Sequence, residues 1–445
     1  MGTTIKPSLI DLSNKWDAAE ELWEYHPYIY DDKCLYWLWD MNRLCYARTD
    51  IVGIIKQFEE YTPYKKWIID AKQRQEMTNA IQVVGRKHVP RIPPDHWIQF
   101  KNDVVDILSG GTMTASPNWF FTTPIPHRIG ISTETPILDK LFFEWVYNGT
   151  EASKQYVQTL YEIMAYCLLR CQPAQRIFAL TGSGANGKTT YQDVLAHFLG
   201  DENVVTSTIE QISVNRFESA LLYHKLACII GEVTHNELKD TKMIKALTGN
   251  DMIRFEFKNK MPFVDKSYAT CVISTNGLPD TPDESIAFYR RWLIIDFPNR
   301  FSLKTDVLAL IPESEYESLC AKCIKLLPRI LSEKVFTGEG SLDERKDRYS
   351  SRSDPIKKFV NDKCVEIIDG NILFKEFYDD LVNWLYAGNH RKMTKRQVGL
   401  WIQRESFSKK QTTINGINGY WIFGLQWKNT PTIPNEEPKV VVVCV

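Results

Sequence analysis

The sequence predicts a mixed α/β fold: a phosphate-loop domain, an α+β domain before it, and a small domain of helices and a hairpin after it. Three observations support this prediction. An apolar strand, a glycine-rich loop and a helix follow one another between residues 176 and 200. Aromatic-rich strand-like and helix-like segments fill the first 130 residues. Three helix-like segments and a hairpin fill residues 355–428.

We therefore expect an α+β domain (1–134), a helical collar (135–172), a phosphate-loop domain (173–341), a charged linker (342–354), a C-terminal domain (355–428) and a tail (429–445). In the first domain, residues 35–48 read as two strands around a turn at 40–42, and Asp50 is placed to cap a helix. A second strand pair is expected around Gly110 and Gly111. Apolar residues spaced by three and four predict helices across 136–171.

The glycine-rich loop has the pattern Gly182-x-x-x-x-Gly187-Lys188-Thr189 and lies between a strand, RIFAL, and a helix that Gly200 closes. Such a loop turns backbone N–H groups towards phosphates, and the helix N-terminus adds a positive dipole. The predicted nucleotide-binding residues are Gly182, Ser183, Gly184, Ala185, Asn186, Gly187, Lys188, Thr189 and Thr190. Lys188 is expected to reach the β- and γ-phosphates of ATP, and Thr189 to bind Mg²⁺. Kinases, motors, transporters and switches share this pattern, which leaves the function open.

Polar residues end two further apolar strands. Glu232 follows KLACIIG, where a carboxylate that orients Mg²⁺ or water is found in such enzymes. Asn276 ends ATCVIST, where a polar side chain beside the γ-phosphate can position the attacking water. The ordinary alternatives are a surface glutamate and a turn asparagine.

Basic residues occur at two other places in this region. Lys258, Asn259 and Lys260 form the tip of a predicted hairpin and are candidates to hold nucleic-acid phosphates, the alternative being a solvated turn. Arg290 and Arg291 precede an apolar strand, from which an arginine can stabilise the γ-phosphate of a neighbouring subunit. A surface ion pair is the alternative there.

Composition restricts the function and the location. Lys and Arg total 54 and Asp and Glu total 55, so the net charge is −1 and nucleic-acid binding would need local basic clusters. No apolar run approaches the roughly 20 residues that span a bilayer, and the N-terminus lacks a signal-peptide layout. We expect a protein of the cell interior that is neither secreted nor membrane-bound. The close cysteine pairs, 167/171 and 320/323, lack the partners of a zinc finger and read as buried thiols.

The C-terminal domain reads as PIKKFVNDKCVEI, FKEFYDDLVNWLY and TKRQVGLWIQRES in helices, followed by a hairpin with Asn-Gly turns at 415–416 and 418–419. Three helices and a hairpin predict a winged-helix-like domain. Lys395, Arg396 and Arg404, with Lys409 and Lys410 beside them, are candidates for contacts to DNA phosphates. A protein-docking module with solvated charges is the open alternative.

These segments, in this order, resemble the superfamily 3 helicases of viruses and plasmids, in particular the primase-helicase family of poxviruses and phages. The resemblance is carried by LYEIMAYCLLR, RIFALTGSGANGKTT, KLACIIGE, IKALTGND, CVISTNGLP and YRRWLIIDF, and extends over residues 25–430. It implies an AAA+-like ATPase that forms a homo-hexameric ring around one DNA strand, acts on single-stranded and forked DNA inside the host cell, and binds ATP between subunits.

The resemblance also implies individual roles. Lys188 and Thr189 take the phosphate-loop roles, Glu232 the acidic role and Asn276 the sensor role. The tip at 258–260 becomes the pore hairpin. Arg291 matches the trans-acting arginine better than Arg290 does.

The sequence departs from the family in two ways. Many members carry two adjacent acids at the second motif, whereas Gly231 precedes Glu232 here, so the acid that binds Mg²⁺ is left open. No primase domain is evident, and we expect any priming from a separate primase or polymerase. Two alternatives remain: an ATP-controlled origin-binding or loading factor without processive unwinding, and a small-molecule kinase.

Overall fold

The computed structural model describes residues 10–58, 61, 71–215, 217–231, 238, 241–301, 306–387, 390, 392–405 and 407–428, without the side chain of Ala152. The protein is mixed α/β and contains a five-stranded parallel sheet. The chain divides into two compact units, Met1–Lys346 and Asp347–Val445. In the part that is described, no helix is both long and apolar enough to cross a membrane. Glu232 and the tail 429–445 lie outside the described residues.

The first unit begins with helices and small antiparallel sheets. These are α1 (Lys15–Tyr25), β1 (Tyr28–Tyr30), β2 (Tyr36–Asp40), β3 (Cys45–Thr49), α2 (Ile51–Gln57), α3 (Ala71–Lys87), β4 (Trp97–Gln99), β5 (Val104–Asp106) and β6 (Thr112–Met113). The strand pair predicted at 35–48 is confirmed by β2 and β3, and the pair around Gly110 and Gly111 by β5 and β6. The Asp50 side chain accepts a hydrogen bond from the Gly53 N–H at 2.8 Å, which confirms the predicted cap of α2.

The rest of this unit is built around the parallel sheet. Its elements are α4 (Pro136–Val146), α5 (Glu151–Tyr166), β7 (Ile177–Thr181), α6 (Lys188–Leu199), β8 (Val204–Ser207), α7 (Ile209–Val214), β9 (Ala227–Ile230), α8 (Lys242–Gly249), β10 (Met252–Phe255), β11 (Phe263–Lys266), β12 (Thr270–Thr275), α9 (Ile286–Tyr289), β13 (Trp292–Asp296) and α10 (Glu313–Glu333). Short 3₁₀ turns lie at Asp201–Asn203, Ser219–Leu222 and Leu308–Leu310.

The order of the strands in the parallel sheet is β13-β7-β12-β9-β8, so β12 lies between β7 and β9. Every residue of β7 and of β12 is buried, as expected for central strands covered on both faces. Because parallel strands end at the same edge, the residues that follow β7, β9, β12 and β13 gather there. β10 and β11 form an antiparallel hairpin outside this sheet, which confirms the hairpin predicted around 258–260.

One hydrophobic core joins the sheet to the N-terminal part of the unit. Phe178 of β7 and Phe198 of α6 belong to the same buried cluster as Phe100 and Ile125, which lie far earlier in the chain. The segments predicted as 1–134, 135–172 and 173–341 therefore fold as parts of one unit. Cys167, Cys320 and Cys323 are buried in this core as free thiols, as predicted, whereas the free thiol Cys171 is only partly buried.

Residues 342–354, predicted as a charged linker, form a helix instead. The helix α11 (Leu342–Ser353) spans the point where the two units divide. The segment contains neither glycine nor proline, and its acids in the first turn and Arg352 in the last turn suit the helix dipole. Most residues of this helix are half-buried, and Tyr349 is buried.

The second unit contains α12 (Pro355–Lys363), β14 (Cys364–Leu373), α13 (Phe374–Ala387), α14 (Lys395–Arg404), β15 (Ser408–Ile414) and β16 (Ile417–Trp427). The prediction of helix through CVEI was wrong, because Cys364 begins β14, which pairs with β16. Val365, Ile367 and Ile368 are β-branched and favour the strand. Asn415 and Gly416 form the predicted turn with positive φ, whereas Asn418 and Gly419 lie within β16.

Candidate functional site

The glycine loop, residues 182–187, leads from β7 into α6 as predicted. Gly187 occupies the N-cap position of α6 with φ +89°, a conformation that glycine adopts without strain. A Cβ at Gly187 would lie 2.7 Å from the Trp145 ring, and one at Gly182 would lie 2.5 Å from the Phe297 carbonyl oxygen. The loop is therefore packed too closely for larger residues at these two positions.

Lys188 and Asn276, which are 88 residues apart in the sequence, meet above this loop. Lys188 is 5% exposed, and its Nζ donates hydrogen bonds to the Gly182 carbonyl at 2.9 Å and to Asn186 Oδ1 at 2.8 Å. The same Nζ lies 3.5 Å from Asn276 Oδ1. The contact follows from the sheet order, because Asn276 comes directly after β12, the neighbour of β7.

A cavity of about 1480 Å³ opens beside the loop. Its polar lining includes residues 184–190, Ser274, Thr275 and Asn276. Its apolar lining includes Ile137, Leu141 and Trp145 from α4, and Phe301, Val307 and Leu310. A pocket with convergent polar groups and an apolar slot is typical of ligand sites. Gly182 and Ser183 belong to the loop but do not line this cavity in the described structure.

Arg300 is a site residue that the sequence analysis missed. Its guanidinium donates to the Ser183 carbonyl at 3.0 Å and to Ser183 Oγ at 3.1 and 3.2 Å. It also lines the cavity, together with the loop. The signal in the sequence was a basic residue just beyond the carboxyl end of β13, the other strand that pairs with β7.

Gly231, the position where a second acid was missing, lies at the carboxyl end of β9 and lines the cavity. Among the described residues, no atom other than those of its chain neighbours lies within 4 Å of the position that a Cβ of Gly231 would take. Within the described residues, the carboxylates that line the cavity are Glu144 and Asp193. Burial raises the pKa of Asp193, which lies one helical turn after Thr189.

In the part of the chain that is described, the cavity offers few side-chain ligands for Mg²⁺. Among the described residues no group of three or more His, Cys, Asp or Glu side chains is placed to hold a metal. The Thr189 hydroxyl and the Asp193 carboxylate are oxygen donors in the cavity. They fit a Mg²⁺ ion that keeps several waters and is shared with a phosphate chain, as is usual for this ion.

The structure separates the two predicted arginines. Arg291 is 6% exposed, and its guanidinium donates to Thr248 Oγ1 at 2.7 Å, to the Lys245 carbonyl at 3.3 Å and to the Ala287 carbonyl. Burial, and next the neighbouring Arg290, lower the pKa of Arg291. Arg290 is exposed and donates to Gln175 Oε1 at 2.5 Å. A role towards another subunit requires an accessible guanidinium, so the preference for Arg291 is corrected in favour of Arg290.

Lys258, Asn259 and Lys260 are exposed at the tip of the β10–β11 hairpin, where Asn259 has φ +60°. The hairpin contacts the N-terminal part of the unit. Lys260 Nζ lies 5.6 Å from the centre of the Tyr36 ring, and the Arg48 guanidinium lies 4.3 Å from that of Phe257. The predicted basic tip is thus present, and residues of the N-terminal part of the unit contact the hairpin.

The predicted basic residues of the second unit differ in their surroundings. Lys395 and Arg396 are exposed in the first turn of α14, whose N-cap Thr394 forms a capping box with Gln397. Arg404 pairs with Asp354 at 2.9 Å and with Glu405 at 3.1 Å. Its charge is therefore balanced by two carboxylates, which weakens its candidacy as a phosphate contact.

Comparisons with known proteins add three findings. Residues 180–291, from the end of β7 to Arg291, match a family of unknown function, DUF5906. A protein of Acanthamoeba polyphaga mimivirus named "Putative helicase L207/L206" is 27% identical over 158 residues, which cover 34% of this chain and 16% of that protein. The chain thus spans less than a fifth of this viral relative.

Two solved structures of the NrS-1 C-terminal region, both without bound ligand, are similar to the chain. One has a TM-score of 0.51 at 12% identity and covers 92% of this chain and 99% of the other. A second has a TM-score of 0.47 at 13% identity and covers 93% and 99%. The first likeness indicates a shared fold. Together the comparisons relate the chain to a helicase-named viral protein by sequence and to the NrS-1 C-terminal region by fold.

Proposed function

We propose that the chain is an ATP-dependent DNA helicase that forms a ring and translocates on single-stranded DNA during replication of a virus, phage or other mobile element. The observation that carries the proposal is the meeting of Lys188 and Asn276 above the glycine loop, beside a large cavity. Lys188 would hold the β- and γ-phosphates of ATP, and Asn276 would position the attacking water. Thr189 and Asp193 supply oxygen ligands for Mg²⁺, which would neutralise phosphate charge.

The sheet order supports an ATPase core of the AAA+ type. The insertion of β12 between β7 and β9 separates the loop strand from the strand that leads to Glu232 and brings Asn276 into the site. The apolar part of the cavity lining, which includes Ile137, Leu141, Val307 and Leu310, has the chemistry that suits an adenine ring. The superfamily 3 assignment rests on this arrangement and on the order of the sequence motifs.

Strand β12 connects the proposed ATP site with the hairpin proposed to bind DNA. β11 ends at Lys266 and β12 begins at Thr270, so the base of the basic hairpin joins one end of β12. Asn276 follows the other end, about 20 Å away at 3.3 Å per residue. We propose that β12, which is wholly buried, transmits the state of the nucleotide to the hairpin. The order helix, strand, helix, helix and two strands in the second unit supports a winged-helix-like domain.

The proposed function is tested by two measurements on the same preparation. We expect ATP hydrolysis that single-stranded DNA stimulates, and ATP-dependent unwinding of a forked duplex. A small-molecule kinase would show neither DNA-stimulated ATP hydrolysis nor unwinding of the fork. A loading factor would hydrolyse ATP and bind DNA without unwinding the fork, and that outcome would replace the helicase proposal. Electron microscopy with a non-hydrolysable ATP analogue and forked DNA tests the ring.

Removing the charges at the hairpin tip should weaken DNA binding without lowering basal ATP hydrolysis. For the double variant Lys258→Ala, Lys260→Ala we expect weaker binding of single-stranded DNA and a salt dependence shallower by about 1.4 in log K against log salt, at about 0.7 for each lost phosphate contact. Basal ATP hydrolysis should stay close to that of the unmodified chain, because the tip does not line the nucleotide cavity. Fluorescence anisotropy at several salt concentrations measures the change.

The matched control for the hairpin variant removes Lys101 and Lys325, which are also exposed lysines of the first unit. It should leave the salt dependence unchanged. Loss of ATP binding in the Lys258→Ala, Lys260→Ala variant would contradict the assignment of the tip to DNA.

A further inference from the structure

Arg300 and Arg290 lie at opposite ends of the same strand. Arg290 comes just before β13, and Arg300 lies four residues beyond the end of that strand at Asp296. β13 runs parallel to β7, so its carboxyl end and the glycine loop share one edge of the sheet. Arg300 therefore belongs to the cavity of its own subunit, whereas Arg290 lies at the far edge, about 16 Å away across five residues of strand.

The backbone around Arg300 is tied to the glycine loop at both ends of a short segment. Asn186 Nδ2 donates to the Phe297 carbonyl at 3.0 Å, and the Phe301 N–H donates to the Ala185 carbonyl at 2.8 Å. Between these two ties the Arg300 guanidinium makes its contacts with Ser183. The residues on either side of Arg300 are thus held beside the loop by hydrogen bonds that do not involve the Arg300 side chain.

The charge of Arg300 is not neutralised within the described part of the chain. No Asp or Glu in that part lies within ion-pair distance of its guanidinium, which is exposed towards the cavity and bonded only to the neutral Ser183. A guanidinium presents a planar fork of donors that matches two phosphate oxygens. An unbalanced guanidinium beside a phosphate-binding loop is suited to a polyphosphate, and an apolar or cationic ligand would gain nothing from it.

We infer that Arg300 is a nucleotide-contacting residue that binds the phosphate chain of ATP in its own subunit, in addition to Lys188 and the loop. This inference rests on the proposed function and names a contact that neither the motif nor the resemblance assigned. Without nucleotide the guanidinium rests on Ser183, and with nucleotide it exchanges these neutral acceptors for charged phosphate oxygens. The competing role is a brace that only holds the loop in shape.

Equilibrium binding of adenosine, AMP, ADP and a non-hydrolysable ATP analogue to Arg300→Gln tests the inference. Hydrogen bonds to charged groups predict a loss of about 10- to 100-fold in affinity. If Arg300 contacts one phosphate directly, the loss of affinity begins with the first ligand of the series AMP, ADP and analogue that carries that phosphate. The affinity for adenosine stays unchanged. Arg300→Lys keeps the charge without the fork and should recover part of the loss. Arg74→Gln, an exposed arginine of α3, is the control and should bind all four ligands as the unmodified chain does.

Thermal unfolding separates a ligand from a brace. We expect Arg300→Gln to unfold at the same temperature as the unmodified chain without nucleotide, and to show a smaller rise in that temperature with the ATP analogue. An unfolding temperature lowered without nucleotide, or an affinity loss that is equal for adenosine, AMP, ADP and the analogue, would identify a brace and overturn the inference. Equal affinity of both proteins for the analogue would also overturn it. If the unmodified chain bound no analogue, the proposed function itself would fail, which is a different result.

Discussion

Replacing Lys188 by alanine should reduce ATP hydrolysis by at least about 100-fold, because the substitution removes the ammonium that is held directly above the glycine loop. Lys140 and Arg300 also line the cavity, but Lys140 lies 3.9 Å from Glu144 and Arg300 is bonded to Ser183, so neither holds the position of Lys188 above Gly182 and Asn186. Lys188 is buried and bonded to the Gly182 carbonyl and to Asn186, hence the loop should also become less ordered without it. A coupled ATPase assay with and without single-stranded DNA measures the effect.

The control for this prediction is Lys325→Ala, which removes an exposed lysine of α10 and should leave hydrolysis unchanged. The informative comparison is with unwinding. If Lys188→Ala abolished hydrolysis but forked duplex were still unwound at the original rate, the motor hypothesis would be wrong. Retained hydrolysis would instead show that ATP is bound elsewhere in the chain.

The parts of the candidate site that depend on local sequence pattern could be predicted. Lys188 follows from the spacing of the glycines, and Asn276 from its place at the end of an apolar strand, because the carboxyl ends of parallel strands converge. Arg300 was missed because it follows an irregular segment, and its contact with Ser183 depends on the pairing of β13 with β7. No local pattern in the sequence states which two strands are neighbours.

The prediction of the fold was also limited by strand pairing, which local sequence patterns do not show. The helices and hairpin of the second unit were recognised, but the first four residues of β14 were read as helix, because the partner strand β16 lies more than 40 residues later. The sequence of one strand does not identify the strand with which it pairs. Arg290 and Arg291 illustrate the point for side chains: two adjacent residues of the same type differ in exposure because only Arg291 faces Thr248 at the end of α8. Their order of preference was therefore reversed by tertiary packing.

Arg290→Ala and Arg291→Ala should fail in different ways. Arg290 lies at the sheet edge opposite its own cavity, so under the proposed function it can act only on ATP held by a neighbouring subunit. We expect its loss to lower the ATPase rate about 1000-fold, the lower end of the range for trans-acting arginines. ATP binding and thermal stability should change little. Arg291→Ala removes a buried guanidinium from Thr248, Lys245 and Ala287 and should lower the free energy of unfolding by about 2–4 kcal/mol.

Mixing two inactive variants tests whether Arg290 acts between subunits. An Arg290→Ala subunit keeps an intact glycine loop, and a Lys188→Ala subunit keeps an intact Arg290. In a mixed ring, some loops of the first variant face an arginine of the second, and the Arg345 contact to the Arg290 carbonyl at 3.0 Å keeps that arginine's backbone in place. We therefore expect hydrolysis to recover on mixing, and not when either variant is mixed with itself. If the mixture stayed inactive while rings still formed, Arg290 would not be the residue that reaches the neighbouring nucleotide.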